Sequence, residues 1–342
     1  MQRIFTGLDI LKIVAAVGIV AIHTGTPVFN TFGRLGVPFF AITSSFLFFK
    51  KYLTQNKDDQ LGDLKHFLKR LLILYLCWQA VYLPSAAIYF IQDVHRFGNS
   101  KGTIYFLRHF LFPPLPLTNG WGQSWYLIGM LIGLPVFLIL LKLFRTIWMG
   151  IVSVLLYLFY ISYNSNFNSW HFARALPHPI YYLLGTIGNN SFPILLIYIY
   201  LGLIIAILLP KILAGSGRSF AAILAIVIIF YFIENIIIWS QTGKIDNLTV
   251  VMTAPASLMM VLWGIKWQAS LQQDLFWRQF STFLFCIHVG IIHVFDVAKM
   301  VLHVSINSFI VMVATVVISY LLFLVFKRLM RMHSMMWLKW FV

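Results

Sequence analysis

Long apolar runs separated by short polar breaks set the pattern of this chain. A bilayer-spanning helix takes about 20 apolar residues, and the runs have that length rather than the shorter lengths of buried strands. The pattern predicts ten helices, over 9–26, 34–49, 69–91, 123–141, 146–163, 192–210, 219–239, 248–266, 280–297 and 304–326. The second and ninth are short for a span, which suits tilted helices beside a polar cavity. Arg3 precedes the first run as in a signal peptide, but Asp9 and Lys12 interrupt that run and no small-residue cleavage site follows. The first run therefore reads as a retained span. There is no repeat of fixed period and no low-complexity tract. The expectation is an all-α polytopic integral membrane protein, one membrane-embedded domain over 1–342 with no appended soluble domain.

Composition narrows the class. Of 342 residues, 61% are hydrophobic and 10% charged, with a mean hydropathy of +0.88. Soluble domains are about a quarter charged, so soluble enzymes, disordered chains and disulfide scaffolds are excluded. Cys77 and Cys286 both lie in apolar runs and offer neither a disulfide framework nor a metal spacing. The net charge of +16 suggests nucleic acid until the charges are placed. Lys50, Lys51, Lys57, Lys65, Lys69 and Arg70 fall between the second and third runs, and every second loop after that is basic. By the positive-inside rule both termini are cytoplasmic. The charge then marks topology and attraction to the lipid bilayer, and no nucleic-acid partner is expected. The opposite loops carry Trp121, Trp125, Tyr126, Trp170, His171 and His178. Such residues suit an interfacial aromatic belt, or a platform on which sugar rings stack.

A few polar residues lie where lipid excludes them, and such groups usually line a cavity or a path. The first run carries Asp9, Lys12 and His23 in LDILKIVAAVGIVAIH. Lys12 and His23 are eleven residues apart, which places them within about 20° on one helix face and about 16 Å apart along it. Asp9 sits one turn before Lys12, placed for an ion pair. A cation near the cytoplasm can hold phosphates of an entering cofactor. A histidine near the far side can take a proton from a hydroxyl nucleophile. A snorkelling lysine and an interfacial histidine would produce the same pattern. Arg34 opens the second run, Glu234 and Asn235 interrupt the seventh, and His288, His293 and Asp296 lie in the ninth. His288 and His293 do not stack on one face, and no metal site is expected.

These phrases resemble the acyltransferase-3 family of integral membrane acyltransferases, which includes bacterial O-acetyltransferases of cell-surface glycans. The resemblance rests on Asp9, Lys12 and His23 in the first span and on VPFFAITSSF in the second. Further along it rests on FLKRLLILYLCW with Arg70, SWYLIGMLIGL with Trp125 and Tyr126, the sixth-span Gly202, and STFLFCIHVGI with His288. Ser45, Ile73 and Val289 stand where the family pattern has Gly, Arg and Pro. The resemblance implies an enzyme that moves an acyl group, acetyl first among them, from cytoplasmic acyl-CoA to a hydroxyl of an extracytoplasmic glycan. His23 would be the general base or a transient acyl carrier, with Lys12 and Asp9 orienting the donor. Arg34, Arg70, Glu234 and His288 would line the cavity, and Trp125 and Tyr126 its outer mouth. Acetyl-CoA would enter as substrate, with no bound cofactor. Some relatives carry an esterase-like domain; here that part would fall to a separate transferase or to the polysaccharide synthesis machinery. The residues alone also suit a transporter or flippase for a lipid-linked sugar or small anion, or a sensor that keeps the fold without the chemistry.

Overall fold

The computed structural model describes residues 5–111, 121–164, 175–182, 192–243, 250–268 and 274–342, and every regular element among them is helical. The principal helices are α1 (Thr6–Thr24), α2 (Phe29–Gly33), α3 (Gly36–Tyr52), α4 (Lys57–Val81), α5 (Leu83–Phe97) and α6 (Asn99–Leu111). They continue with α7 (Trp125–Leu143), α8 (Thr146–Asn164), α9 (Phe192–Ala214), α10 (Gly217–Thr242), α11 (Thr253–Lys266), α12 (Asp274–Leu302) and α13 (Ser308–Leu329). Taking α2 and α3 as one pass, eight are long and apolar enough to cross a membrane, and the bent pair α4–α5 makes a ninth. Ile223, Ile226, Ile229, Ile233 and Ile237 of α10 are exposed, the surface expected of a helix facing lipid. The protein is an all-α polytopic membrane protein.

Two expected spans take a different form. The third, 69–91, bends by 71° at Tyr82 between α4 and α5. Pro84 stands at the start of α5; it has no amide to donate and would crowd the turn before it, so a new helix begins there. The eighth, 248–266, is the fourteen-residue α11, about 21 Å long; residues 248 and 249 of that stretch lie outside the described residues. The ninth, drawn short from the sequence, is the 29-residue α12.

Helix α1 lies at the centre, against α3, α11, α12 and α13. Ala15, Ala16, Ile19, Val20 and Ala21 are buried along it. Gly18 lets α2 approach closely: a Cβ there would stand 2.8 Å from the Gly33 Cα. Gly202 does the same between α9 and α3, where a Cβ would meet the Ser45 Cβ at 2.5 Å. Several descending helices end in basic residues, Lys50 and Lys51 on α3, Lys142 on α7, Lys266 on α11, and Lys327 and Arg328 on α13. They define one basic end of the bundle. Helices α1 and α12 run side by side in the same direction away from it.

Candidate active site on the central helix

Asp9 sits in the first turn of α1, where the helix dipole favours a carboxylate. It is 2% exposed and holds two cations. Lys12 Nζ donates to Oδ1 at 3.0 Å. Arg278 of α12 donates from Nε to Oδ1 at 3.1 Å and from Nη2 to Oδ2 at 2.8 Å, a fork that fixes its plane. One carboxylate balances one of the two cations, so the group keeps an excess positive charge. It opens into a cavity of about 670 Å³ at the basic end, lined also by Phe5, Lys50 and Lys51. Lys51 is paired with Asp63 at 2.6 Å, and Lys50 stands 4.7 Å from the centre of the Phe5 ring. Arg70 is exposed on α4, close enough for its charge to act on Lys12. The cavity sets this excess positive charge beside apolar surface.

At the other end of α1, Gly25 closes the helix in the left-handed conformation, φ 67°, and its amide donates to Ile22. That stop sets His23 in the last turn. His23 is accessible, and its ring centroid lies 5.0 Å from that of His288 on α12. His288 is fully buried. Its Nδ1 lies 3.1 Å from the Leu284 carbonyl, which assigns the proton to Nδ1 and leaves Nε2 as an acceptor. Nε2 has no hydrogen-bond partner among the described residues. Arg34, at the end of α2, donates to Asn30 Oδ1 at 3.3 Å, and its charge lies close enough to act on His23. His23, His288 and Arg34 thus share the far end, while Asp9, Lys12 and Arg278 share the basic end. Between them α1 presents Ala16 and Ile19, both buried.

The other expected site residues sit elsewhere. Glu234, expected to line the cavity, accepts from the Val251 amide at 2.8 Å through Oε1 and from the Met252 amide at 2.8 Å through Oε2. It caps the start of α11, where helical amides would otherwise face lipid without acceptors. Tyr157 completes that cap by accepting from the Ala254 amide at 3.2 Å. Tyr126, expected at the outer mouth, is buried, with its hydroxyl 3.2 Å from Ser44 Oγ and its ring against Phe285 at 5.8 Å. Phe285 in turn contacts His288, so Tyr126 packs behind the histidine pair. Trp125 is half-buried against the core. Trp121, read as an aromatic at the outer surface, is fully buried, stacked on Tyr82 at 5.5 Å and 5° and on Tyr75 at 5.9 Å. It serves as core, because residues 121–124, just before α7, pack into the bundle with Gln123 and Ser124 also buried. Trp170 and His171 lie outside the described residues.

Arg278 falls two residues before the ninth run as the pattern draws it, in one of the basic loops. The signal that finds it is helix length: extending the ninth span back by two residues sets Arg278 ten positions before His288, much as Lys12 precedes His23 by eleven.

Comparison with known proteins points one way. The acyltransferase-3 family model, described as an acyltransferase domain, matches residues 5–325. No curated protein and no solved structure matches the chain.

Proposed function

The chain belongs to the acyltransferase-3 family and is a multi-pass membrane acyltransferase, and from that premise we propose that it carries an acyl group, acetyl first among them, from acyl-CoA at the basic end to a glycan hydroxyl at the opposite end. The basic end is read as cytoplasmic and the membrane as the bacterial cell membrane. One observation carries the reading: α1 and α12 together hold a cationic cavity at one end and two touching imidazoles at the other.

The donor phosphates are held by Lys12 and Arg278, with Asp9 keeping the two like charges in place. The thioester arm passes along α1 toward His23. His23 takes the proton of the acceptor hydroxyl, and the oxygen attacks the thioester carbon. Arg34 steadies the negative charge that develops. The carbon–sulfur bond then breaks, His23 returns its proton to the departing sulfur, and an ester and free CoA result. Buried surface along the path keeps water from the thioester. The acceptor class is the exopolysaccharide, capsule or cell-wall polymer outside the membrane. A separate transferase or the synthesis machinery would act as partner.

The test is transfer from radiolabelled acetyl-CoA by the purified protein in liposomes holding glycan acceptors. His23→Ala is expected to lower transfer by about 10²–10⁴-fold while acetyl-CoA binding persists. Wild-type transfer by that variant overturns the catalytic assignment. A covalent acetyl on His23 in mass spectra would make it an acyl carrier instead of a base.

A further inference from the structure

Tyr82 marks the break between α4 and α5, and its hydroxyl ends against the backbone of another helix, α12. It donates to the Cys286 carbonyl at 2.9 Å and accepts from the Gly290 amide at 2.9 Å. Those two groups are four residues apart on α12, the pair that an α-helix joins directly. The Ile287 carbonyl stands 3.3 Å from the same hydroxyl. Gln123 Nε2 donates to the Cys286 carbonyl from the other side at 3.2 Å. Trp121 stacks flat on the Tyr82 ring and fixes its plane. His288 lies between residues 286 and 290, so the turn that Tyr82 enters is the turn that aims the buried imidazole at His23.

We propose that Tyr82 is a positioning residue for the reaction, its hydroxyl clamping both ends of the 286–290 turn of α12 so that His288 presents its bare Nε2 to His23. The inference rests on the acyl-transfer reading of the histidine pair. An inserted side chain is one of the few causes of local deformation in a helix. In an apolar interior the Gly290 amide must find an acceptor. Without the hydroxyl the Gly290 amide and the Cys286 carbonyl lose the partner they share, the turn resettles, and the ring of His288 moves with it. The donor cavity is about 15 Å away along α12, ten residues at the helical rise, and does not share the change.

Tyr82→Phe removes the hydroxyl and keeps the stacked ring. The expected result is a fall in kcat of about tenfold or more with the KM for acetyl-CoA within twofold of wild type. Nitrogen-15 spectra of histidine-labelled protein in detergent provide the second readout. The His288 pair of resonances, assigned by loss in His288→Gln, is that of an Nδ1-protonated ring with a bare Nε2 in the wild type and shifts in Tyr82→Phe. Unchanged kcat, or a fall in kcat with unchanged His288 resonances, overturns the inference. If Tyr82→Phe does not fold, Gln123→Leu is read in the same two ways and is expected to move both in the same direction by less; no movement in either overturns it. Retained transfer in His23→Ala would instead remove the acyl-transfer reading, while the resonances still decide whether Tyr82 orients His288.

Discussion

Asp9 and Glu234 are both carboxylates set in apolar helices, and they are neutralised in different ways. Asp9 holds two side-chain cations at the wall of an open cavity. Glu234 holds two backbone amides at the start of a short helix. Side-chain cations on flexible stems can rearrange around an incoming phosphate. Amides of a helix start cannot leave without unravelling the helix. A buried carboxylate held by side-chain cations can answer to a ligand, whereas one held by the amides of a helix start is committed to the scaffold; on the proposed reading that separates Asp9 from Glu234.

The comparison can be broken at either carboxylate. The largest effect is expected for Asp9→Ala, which leaves Lys12 and Arg278 as like charges with no counter-ion. Donor kcat/KM should fall about 100-fold, and unfolding in detergent should show a loss of about 3–5 kcal/mol. Glu234→Ala should cost about 2–4 kcal/mol, measured the same way, because two amides lose a charged acceptor. Its kcat/KM per folded molecule should stay within twofold of wild type; lost transfer with full stability would move Glu234 into the site. Arg278→Ala sharpens the donor side: the KM for acetyl-CoA should rise about tenfold with kcat little changed, as one charge-assisted contact to phosphate goes. The smallest change is expected for Glu234→Gln, about 1 kcal/mol by thermal unfolding, since the remaining oxygen still accepts from one amide.

What the sequence made legible was local. Lys12 and His23 share a face because both lie on one helix whose period is fixed, and Asp9 was within one turn of Lys12. Partners from distant helices were not legible. Nothing in LDILKIVAAVGIVAIH says that α12 lies beside it, so the Asp9–Arg278 fork and the His23–His288 contact emerge only from packing. The partners of Glu234 were hidden for a different reason. Its partners are backbone amides, which every residue but proline carries, so they leave no signature in the sequence. Pro84 did carry a signal for the bend at Tyr82, and the apolar run through 69–91 masked it. Trp121 shows the same limit: an aromatic in a polar-looking stretch reads as surface until the chain is seen to turn inward.

The parallel course of α1 and α12 fixes a parity. Both leave the basic end, so the chain between them must traverse the bilayer an odd number of times. The passes α3, α4, α7, α8, α9 and α10 supply six. The seventh is α11, with only fourteen residues, whose Lys266 at the basic end donates to the Leu213 carbonyl of α9 at 2.7 Å. A helix too short to count by length is thus required by direction, and Glu234 is what allows it to start within the apolar layer. Shortening or removing α11 would change more than one wall of the bundle, because α12 would then enter from the wrong face and carry Arg278 away from Asp9.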